Sequence, residues 1–139
     1  MIAYLDSSVI LRVVLRQSGV LKEWRTVGEG VASALVEVEC LRTLDRLRHL
    51  SGIPDRDIAV RREAVYRLLE AVEIVEPTRV ILTRAAQPLP TVLGTLGAIH
   101  LATALLWRER AGVELVMATH DTALGTAARA CGLGVVGLP

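Results

Sequence analysis

Short apolar runs alternate with helical segments along the chain, and this alternation constrains the fold more than any other feature. The predicted strands are Ile2–Leu5, Val31–Ala32, Val72–Val75, Val113–Ala118 and Val135–Leu138. Because helical segments separate the strands, right-handed crossovers should join them into a parallel sheet that is covered on both faces. The sequence therefore predicts an α/β fold, a three-layer α/β/α domain with a parallel sheet of about five strands. We expect residues 1–139 to form a single domain.

The segments between these strands carry helical spacing and start or stop signals. The predicted helices are Ser8–Leu15 with a resumption near Leu21–Thr26, Ser33–His49, Asp55–Glu70, Pro77–Ala86, Leu96–Trp107 and Asp121–Gly132. Residues 85–107 carry no charge, but prolines and glycines interrupt them, which predicts a loop before a buried helix and no membrane span. We also expect no signal peptide and a cytoplasmic location.

Composition limits the partners of the chain without naming them. Apolar residues make up 52% of the sequence and the mean hydropathy is +0.44, which predicts either an apolar surface for a partner or second copy, or a densely buried core. The net charge of +1 excludes a strong overall electrostatic field that would attract the protein to nucleic acid. Fifteen of the 16 basic residues are arginines, which we attribute to codon bias in preference to phosphate recognition. Cys40 and Cys131 are predicted to be buried, reduced thiols.

Two acids lie where functional side chains of parallel sheets collect, and a third acid lies inside a helix. Asp6 directly follows the first strand and Asp121 follows the fourth, so both carboxylates can converge on one crevice at the carboxyl edge of the sheet. Helix N-capping explains each of them equally well. Glu39 lies inside a helix, and Glu37 is turned toward nearly the opposite face. From spacing alone, an exposed Glu39 paired with Arg42 is the favoured interpretation.

Four blocks of sequence together identify a family resemblance. They are Y-L-D-S-S at 4–8, S-A-L-V-E-V-E-C-L-R at 33–42, L-G-T-L-G-A-I-H-L-A-T-A-L at 93–105 and A-T-H-D-T-A-L at 118–124. In this order and spacing they resemble a PIN-domain ribonuclease and, more narrowly, a VapC-type toxin of a type II toxin–antitoxin pair. The resemblance covers essentially the whole chain.

The resemblance implies an acidic pocket that binds one or two Mg²⁺ or Mn²⁺ ions and hydrolyses RNA phosphodiesters. It maps the central ligand onto Asp6, a direct or water-mediated ligand onto Asp121, and a ligand or water-orienting base onto Glu39. It places Ser7 and Thr119 around them, as hydrogen-bond donors to the carboxylates or to metal-bound water. It further implies an RNA substrate, a cognate VapB-like antitoxin and a homodimer.

One position departs from the family pattern. Gly97 stands where members usually carry an aspartate, and no Asp or Glu occurs between Glu76 and Glu109. We therefore expect weak metal binding and little nuclease activity. The glycine is either natural, in a degenerate member, or an inactivating substitution, and we favour the second explanation. A non-catalytic module that binds only antitoxin or RNA is the alternative function.

Two histidines and two other protein classes are less well supported by the sequence than the acids and the PIN-domain resemblance. His100 lies on an apolar helical pattern and is predicted to be a satisfied core histidine, while His120 is given no role because no zinc spacing surrounds it. A phosphatase with an aspartyl nucleophile would need a second aspartate where Ser8 stands. A phospho-receiver domain would carry its acceptor acid on a middle strand.

Overall fold

The computed structural model describes all 139 residues and contains five strands and six helices. The strands are β1 (Ile2–Leu5), β2 (Glu29–Ser33), β3 (Val72–Val75), β4 (Val116–Ala118) and β5 (Gly134–Val136). The helices are α1 (Ser7–Val14), α2 (Leu35–Ser51), α3 (Asp55–Glu70), α4 (Arg79–Ala85), α5 (Thr95–Ala111) and α6 (Thr122–Ala130), with a 3₁₀ turn at Trp24–Thr26.

The sheet has the strand order β3-β2-β1-β4-β5, and every neighbouring pair is parallel. The chain first adds strands on one side of β1 and then on the other, so the order reverses between β1 and β4. In open parallel sheets the crevice outside the carboxyl ends at such a reversal is where ligands bind. The predicted α/β fold with a five-stranded parallel sheet is confirmed, and its crevice lies between β1 and β4.

Two apolar cores cover the two faces of the sheet, which gives the three predicted layers. Ala3 and Leu5 of β1 pack on the side of α1, α2 and α3. Tyr4, between them, packs on the side of α5 and α6. This division follows from the two-residue period of a strand, in which successive side chains point to opposite faces. Tyr4 is thereby buried beneath α5.

Several predicted bounds differ from the structure. The fourth strand begins at Val116 and not at Val113, because Val113 follows the left-handed C-cap Gly112 (φ 68°) and is 46% exposed. The resumed helix near Leu21–Thr26 is only a 3₁₀ turn. The uncharged segment 85–107 is a loop followed by α5, as predicted. None of the helices combines the length and apolar character needed to cross a membrane.

Candidate functional site

Asp6 forms the centre of the crevice at the end of β1. Its side chain is buried, and its backbone N–H donates to the Ala118 carbonyl at 3.1 Å, which holds it against β4. Its Oδ2 accepts hydrogen bonds from the hydroxyls of Ser8 at 2.7 Å and Thr119 at 2.8 Å. No hydrogen bond reaches Oδ1. One oxygen of Asp6 is therefore fixed by the protein, and the other is available to a ligand.

The same two hydroxyls join the chain after β1 to the chain after β4. Ser8 Oγ accepts from the backbone N–H of His120 at 2.9 Å, and Thr119 Oγ1 accepts from that of Asp121 at 2.9 Å. Each hydroxyl thus donates to Asp6 and accepts from the β4–α6 connection. This pattern uses both capacities of a hydroxyl group and fixes the relative positions of Asp6 and Asp121.

Ser8, and not Ser7, supplies the hydroxyl that contacts Asp6. The two serines occupy successive positions at the start of α1, where one residue rotates the side chain by about 100° around the helix axis. Ser7 makes no side-chain hydrogen bond, so the predicted donor to this carboxylate was placed one residue too early. A contact of Ser7 with metal-bound water stays a prediction.

Asp121 is exposed and caps α6. Its Oδ1 accepts from the backbone N–H groups of Ala123 at 2.9 Å and Leu124 at 3.2 Å, which satisfies two of the donors left open at a helix start. Its Oδ2 has no hydrogen-bond partner. The capping interpretation therefore holds for Asp121, and it still leaves one oxygen free on the side chain.

His120 is anchored to the last strand connection. Its ring Nδ1 lies 2.8 Å from the carbonyl of Gly137. Gly137 has a φ of 104°, and the Thr119 carbonyl occupies the space that a Cβ would need there, so only glycine fits this close approach. No functional role is predicted for His120, and its ring contacts only a backbone carbonyl.

Glu39 of α2 reaches the crevice from the other side of Asp6. Its Oε1 lies 2.6 Å from His100 Nε2, and its side chain is 19% exposed. Glu37 is exposed on the opposite face, as predicted. Arg42 pairs with Asp45 at 3.0 Å, so the favoured interpretation of an exposed Glu39 paired with Arg42 is wrong. No hydrogen bond reaches Oε2 of Glu39.

His100 is the residue of this site that sequence reasoning missed. It is fully buried, as a core histidine should be, with Nδ1 2.7 Å from the Tyr4 hydroxyl and Nε2 4.0 Å from Asp6 Oδ1. Burial raises the pKa of Tyr4 well above its usual value, and the charges of Asp6 and Glu39 raise it further. Tyr4 therefore stays a phenol. The signal in the sequence was the position of His100, one helical turn after Gly97.

Gly97 lies in the first turn of α5, on the same side of the helix as His100 by its three-residue spacing. A Cβ at this position would lie 2.7 Å from Cδ1 and 3.0 Å from Cγ of Leu93. Leu93 therefore fills the space into which a side chain at position 97 would project. Packing by Leu93 thus stands where the resemblance leads us to expect a carboxylate, and residues 77–108 contain no acid.

The negative charges of Asp6 and Glu39 also affect the neighbouring Cys40. Cys40 follows Glu39 in α2 and is completely buried. Burial raises the pKa of the Cys40 thiol to about 12, and the negative charges of Glu39 and Asp6 raise it further. Cys40 is consequently a protonated, unreactive thiol in the folded protein. Both cysteines are free, and the predicted burial holds for Cys40 but is wrong for Cys131, which is partly exposed.

The donor set suits a hard cation bound mainly by water. Asp6, Glu39 and Asp121 each keep one carboxylate oxygen that accepts no hydrogen bond, and carboxylate oxygens are the ligands that Mg²⁺ prefers. No group of three or more acidic, histidine or cysteine side chains lies close enough together to enclose an ion. Mg²⁺ commonly uses one or two carboxylates and keeps several waters. Asp6 and Glu39, which both approach Nε2 of His100, fit that mode of binding.

Comparisons with known proteins agree with this geometry. Residues 3–130 match the PIN domain family. The chain is 34% identical over 137 residues to Ribonuclease VapC46 of Mycobacterium tuberculosis, covering 96% of this chain and 95% of that protein. A toxin–antitoxin complex from Klebsiella pneumoniae has a similar fold, with a TM-score of 0.63, 16% identity and 88% of each chain covered. The chain therefore belongs to the PIN-domain family and, within it, to the VapC-type proteins.

Proposed function

We propose that this protein is a toxin-type endoribonuclease that hydrolyses RNA phosphodiesters with Mg²⁺ or Mn²⁺. The observation that carries the proposal is the pair Asp6 and Glu39, converging at the reversal of strand order, each with one oxygen held by the protein and one free. A divalent ion bound there would activate a water molecule and stabilise negative charge on the phosphate.

Each residue of the site would have a separate role in binding the metal ion. Ser8 and Thr119 fix Asp6, the central ligand, through Oδ2 and leave Oδ1 without a hydrogen bond. Glu39 offers Oε2 either as a ligand or as the base that accepts a proton from the attacking water. Asp121, exposed at the start of α6, completes the acidic edge directly or through a water molecule. This division assigns all three acids that the resemblance named.

The same proposal includes a cytoplasmic location and a protein partner. The related complex from Klebsiella pneumoniae contains a toxin and an antitoxin, which supports a VapB-like antitoxin for this chain. Exposed apolar side chains of α4 and of the loop before α5, among them Leu82 and Val92, border a groove of about 700 Å³. Such an apolar surface supports an interface with antitoxin or with a second copy of the chain.

A non-catalytic binding module is the second candidate, and a specific observation favours it. Gly97 removes one acid of the family pattern, and Leu93 occupies the space that its side chain would use. A chain that keeps the fold and loses the chemistry would show this combination. In that case the crevice would bind antitoxin or RNA without cleaving it.

Titration with Mn²⁺, followed by RNA cleavage assays, separates the two candidates. We expect the parent protein to bind Mn²⁺ weakly and to cleave RNA slowly, and Asp6→Asn or Glu39→Gln to weaken binding by roughly 10–100-fold. Glu37→Gln is the matched control, because it makes the same change on the exposed face of α2 and should leave binding unchanged. If neither the parent nor Gly97→Asp binds Mn²⁺, the nuclease proposal is refuted and the binding module is supported.

A further inference from the structure

We propose that His100, supported by Tyr4, is a positioning residue that fixes the Glu39 carboxylate beside Asp6. Three contacts carry this inference: Tyr4 Oη to His100 Nδ1 at 2.7 Å, His100 Nε2 to Glu39 Oε1 at 2.6 Å, and His100 Nε2 to Asp6 Oδ1 at 4.0 Å. The inference rests on the proposed function, because positioning Glu39 matters only if Glu39 serves a bound metal or its water.

The direction of the hydrogen bonds follows from the groups involved. An ionised carboxylate can only accept, so His100 Nε2 must carry the hydrogen that Glu39 Oε1 receives. A neutral imidazole protonated at Nε2 has an acceptor at Nδ1, which takes the hydrogen of the Tyr4 hydroxyl. The chain of donors therefore runs from Tyr4 through His100 and ends at Glu39.

Burial makes this arrangement a rigid one. Tyr4 and His100 are almost completely inaccessible, with 0% and 1% exposure, whereas the Glu39 side chain is partly accessible. Water competes poorly for hydrogen bonds inside a protein, where each bond is stronger than in solvent. The two rings also meet edge to face, at 5.9 Å between centroids and 71° between planes. His100 is consequently held in one position, and its hydrogen bond orients the Glu39 carboxylate.

The orientation has a chemical result for each acid. His100 takes Oε1 of Glu39 and leaves Oε2 without a partner, as Ser8 and Thr119 take Oδ2 of Asp6 and leave Oδ1. Hydrogen bonds of this kind to ligating carboxylates typically affect metal affinity or activity by roughly 10–100-fold. Because position 97 carries no acid, the N–H of His100 is the polar group that α5 directs toward both acids.

The test compares two replacements of His100 by Mn²⁺ affinity, measured on folded protein with and without Gly97→Asp. His100→Leu removes the N–H, whereas His100→Gln keeps an amide N–H at about the same distance along the side chain. We expect His100→Leu to weaken Mn²⁺ binding by roughly 10–100-fold and His100→Gln to restore most of that loss. Tyr4→Phe should give a smaller loss. His49→Gln, on the exposed end of α2, is the control and should change nothing.

A residue that only stabilises the fold would behave differently. It would lower the free energy of unfolding without separating His100→Gln from His100→Leu in Mn²⁺ affinity. Equal Mn²⁺ affinity in folded His100→Leu and the parent would overturn the inference and leave the nuclease proposal standing. Absence of Mn²⁺ binding from both the parent and Gly97→Asp would instead refute the metal site, and with it the role of His100. Two-dimensional ¹H–¹⁵N spectra that place the imidazole proton on Nδ1 would also overturn the inference.

Discussion

Restoring the missing acid by Gly97→Asp is the sharpest test of the site, and the structure sets its cost. The new Cβ would lie 2.7 Å from Leu93 Cδ1, so the leucine must rotate away. A side chain moved about 30° from its rotamer costs roughly 0.5–1.5 kcal/mol. Leu93 is only partly buried and its contacting atoms are at the end of a flexible side chain, which keeps the cost within this range.

Opposing gains nearly offset that cost. Position 97 is the third residue of α5, whose first turn carries no acid, and a carboxylate there interacts favourably with the helix dipole by about 0.3–1 kcal/mol. Replacing a helical glycine adds a few tenths of a kcal/mol. We therefore expect Gly97→Asp to change the free energy of unfolding by no more than about 1 kcal/mol, while Mn²⁺ affinity and RNA cleavage rise by roughly tenfold or more.

The assay is Mn²⁺ titration with urea unfolding on the same samples, followed by cleavage of a labelled RNA. Gly97→Asn is the control, because it has the same size and requires the same movement of Leu93 without adding a charge. Gly97→Asp combined with Leu93→Ala gives the acid free space and should bind at least as well. A folded Gly97→Asp that binds Mn²⁺ no better than Gly97→Asn would refute the reasoning that an acid is missing here.

Three further expectations concern the Ser8 hydroxyl beside Asp6 and the buried thiol of Cys40. Ser8→Ala removes a donor to Asp6 and the acceptor of the partly buried His120 N–H, so the free energy of unfolding measured in urea should fall by about 1–3 kcal/mol. Ser7→Ala is the control, and an equal loss there would contradict the assignment of Ser8 as the donor to Asp6. A thiol reagent at pH 8 should label Cys131 and spare Cys40 until the protein is denatured, because burial raises the pKa of Cys40 to about 12. Between the usual pKa of a thiol and this raised value, the folded protein keeps the proton of the Cys40 thiol, whereas the unfolded chain releases it. The free energy of unfolding should therefore fall as pH rises from about 9 toward 12, and a constant free energy over that range would contradict the raised pKa of Cys40.

Sequence patterns predicted correctly those strands and helices whose bounds depend only on nearby residues. The bounds of β1, β3 and α3 follow directly from apolar runs, alternation and the break before Asp55. The start of β4 did not, because Val113 is as apolar as the residues of the strand and only its exposure beyond the end of α5 excludes it. Pattern alone cannot distinguish an exposed valine from a buried one when both follow a helix.

The sequence indicated which acids lie near the crevice better than it indicated which residues they contact. Spacing placed Asp6 and Asp121 at one edge, since parallel strands share their carboxyl ends. It could not assign Glu39, because its partner His100 is 61 residues away in sequence and belongs to a helix on the other face of the sheet. Ser7 and Ser8 are chemically identical, and the rotation of the first turn of α1 decided between them.

The position of β1 at the centre of the sheet has a consequence for how the site moves. Edge strands open through local fluctuations, whereas central strands exchange their amide hydrogens mainly when the whole molecule unfolds. β1 pairs on both sides, with β2 and β4, while β3 and β5 lie at the edges. We expect hydrogen exchange to be slowest in the β1 amides that lead into Asp6 and faster in β3 and β5. The carboxylate at the centre of the site is thus attached to the strand that we expect to open most slowly.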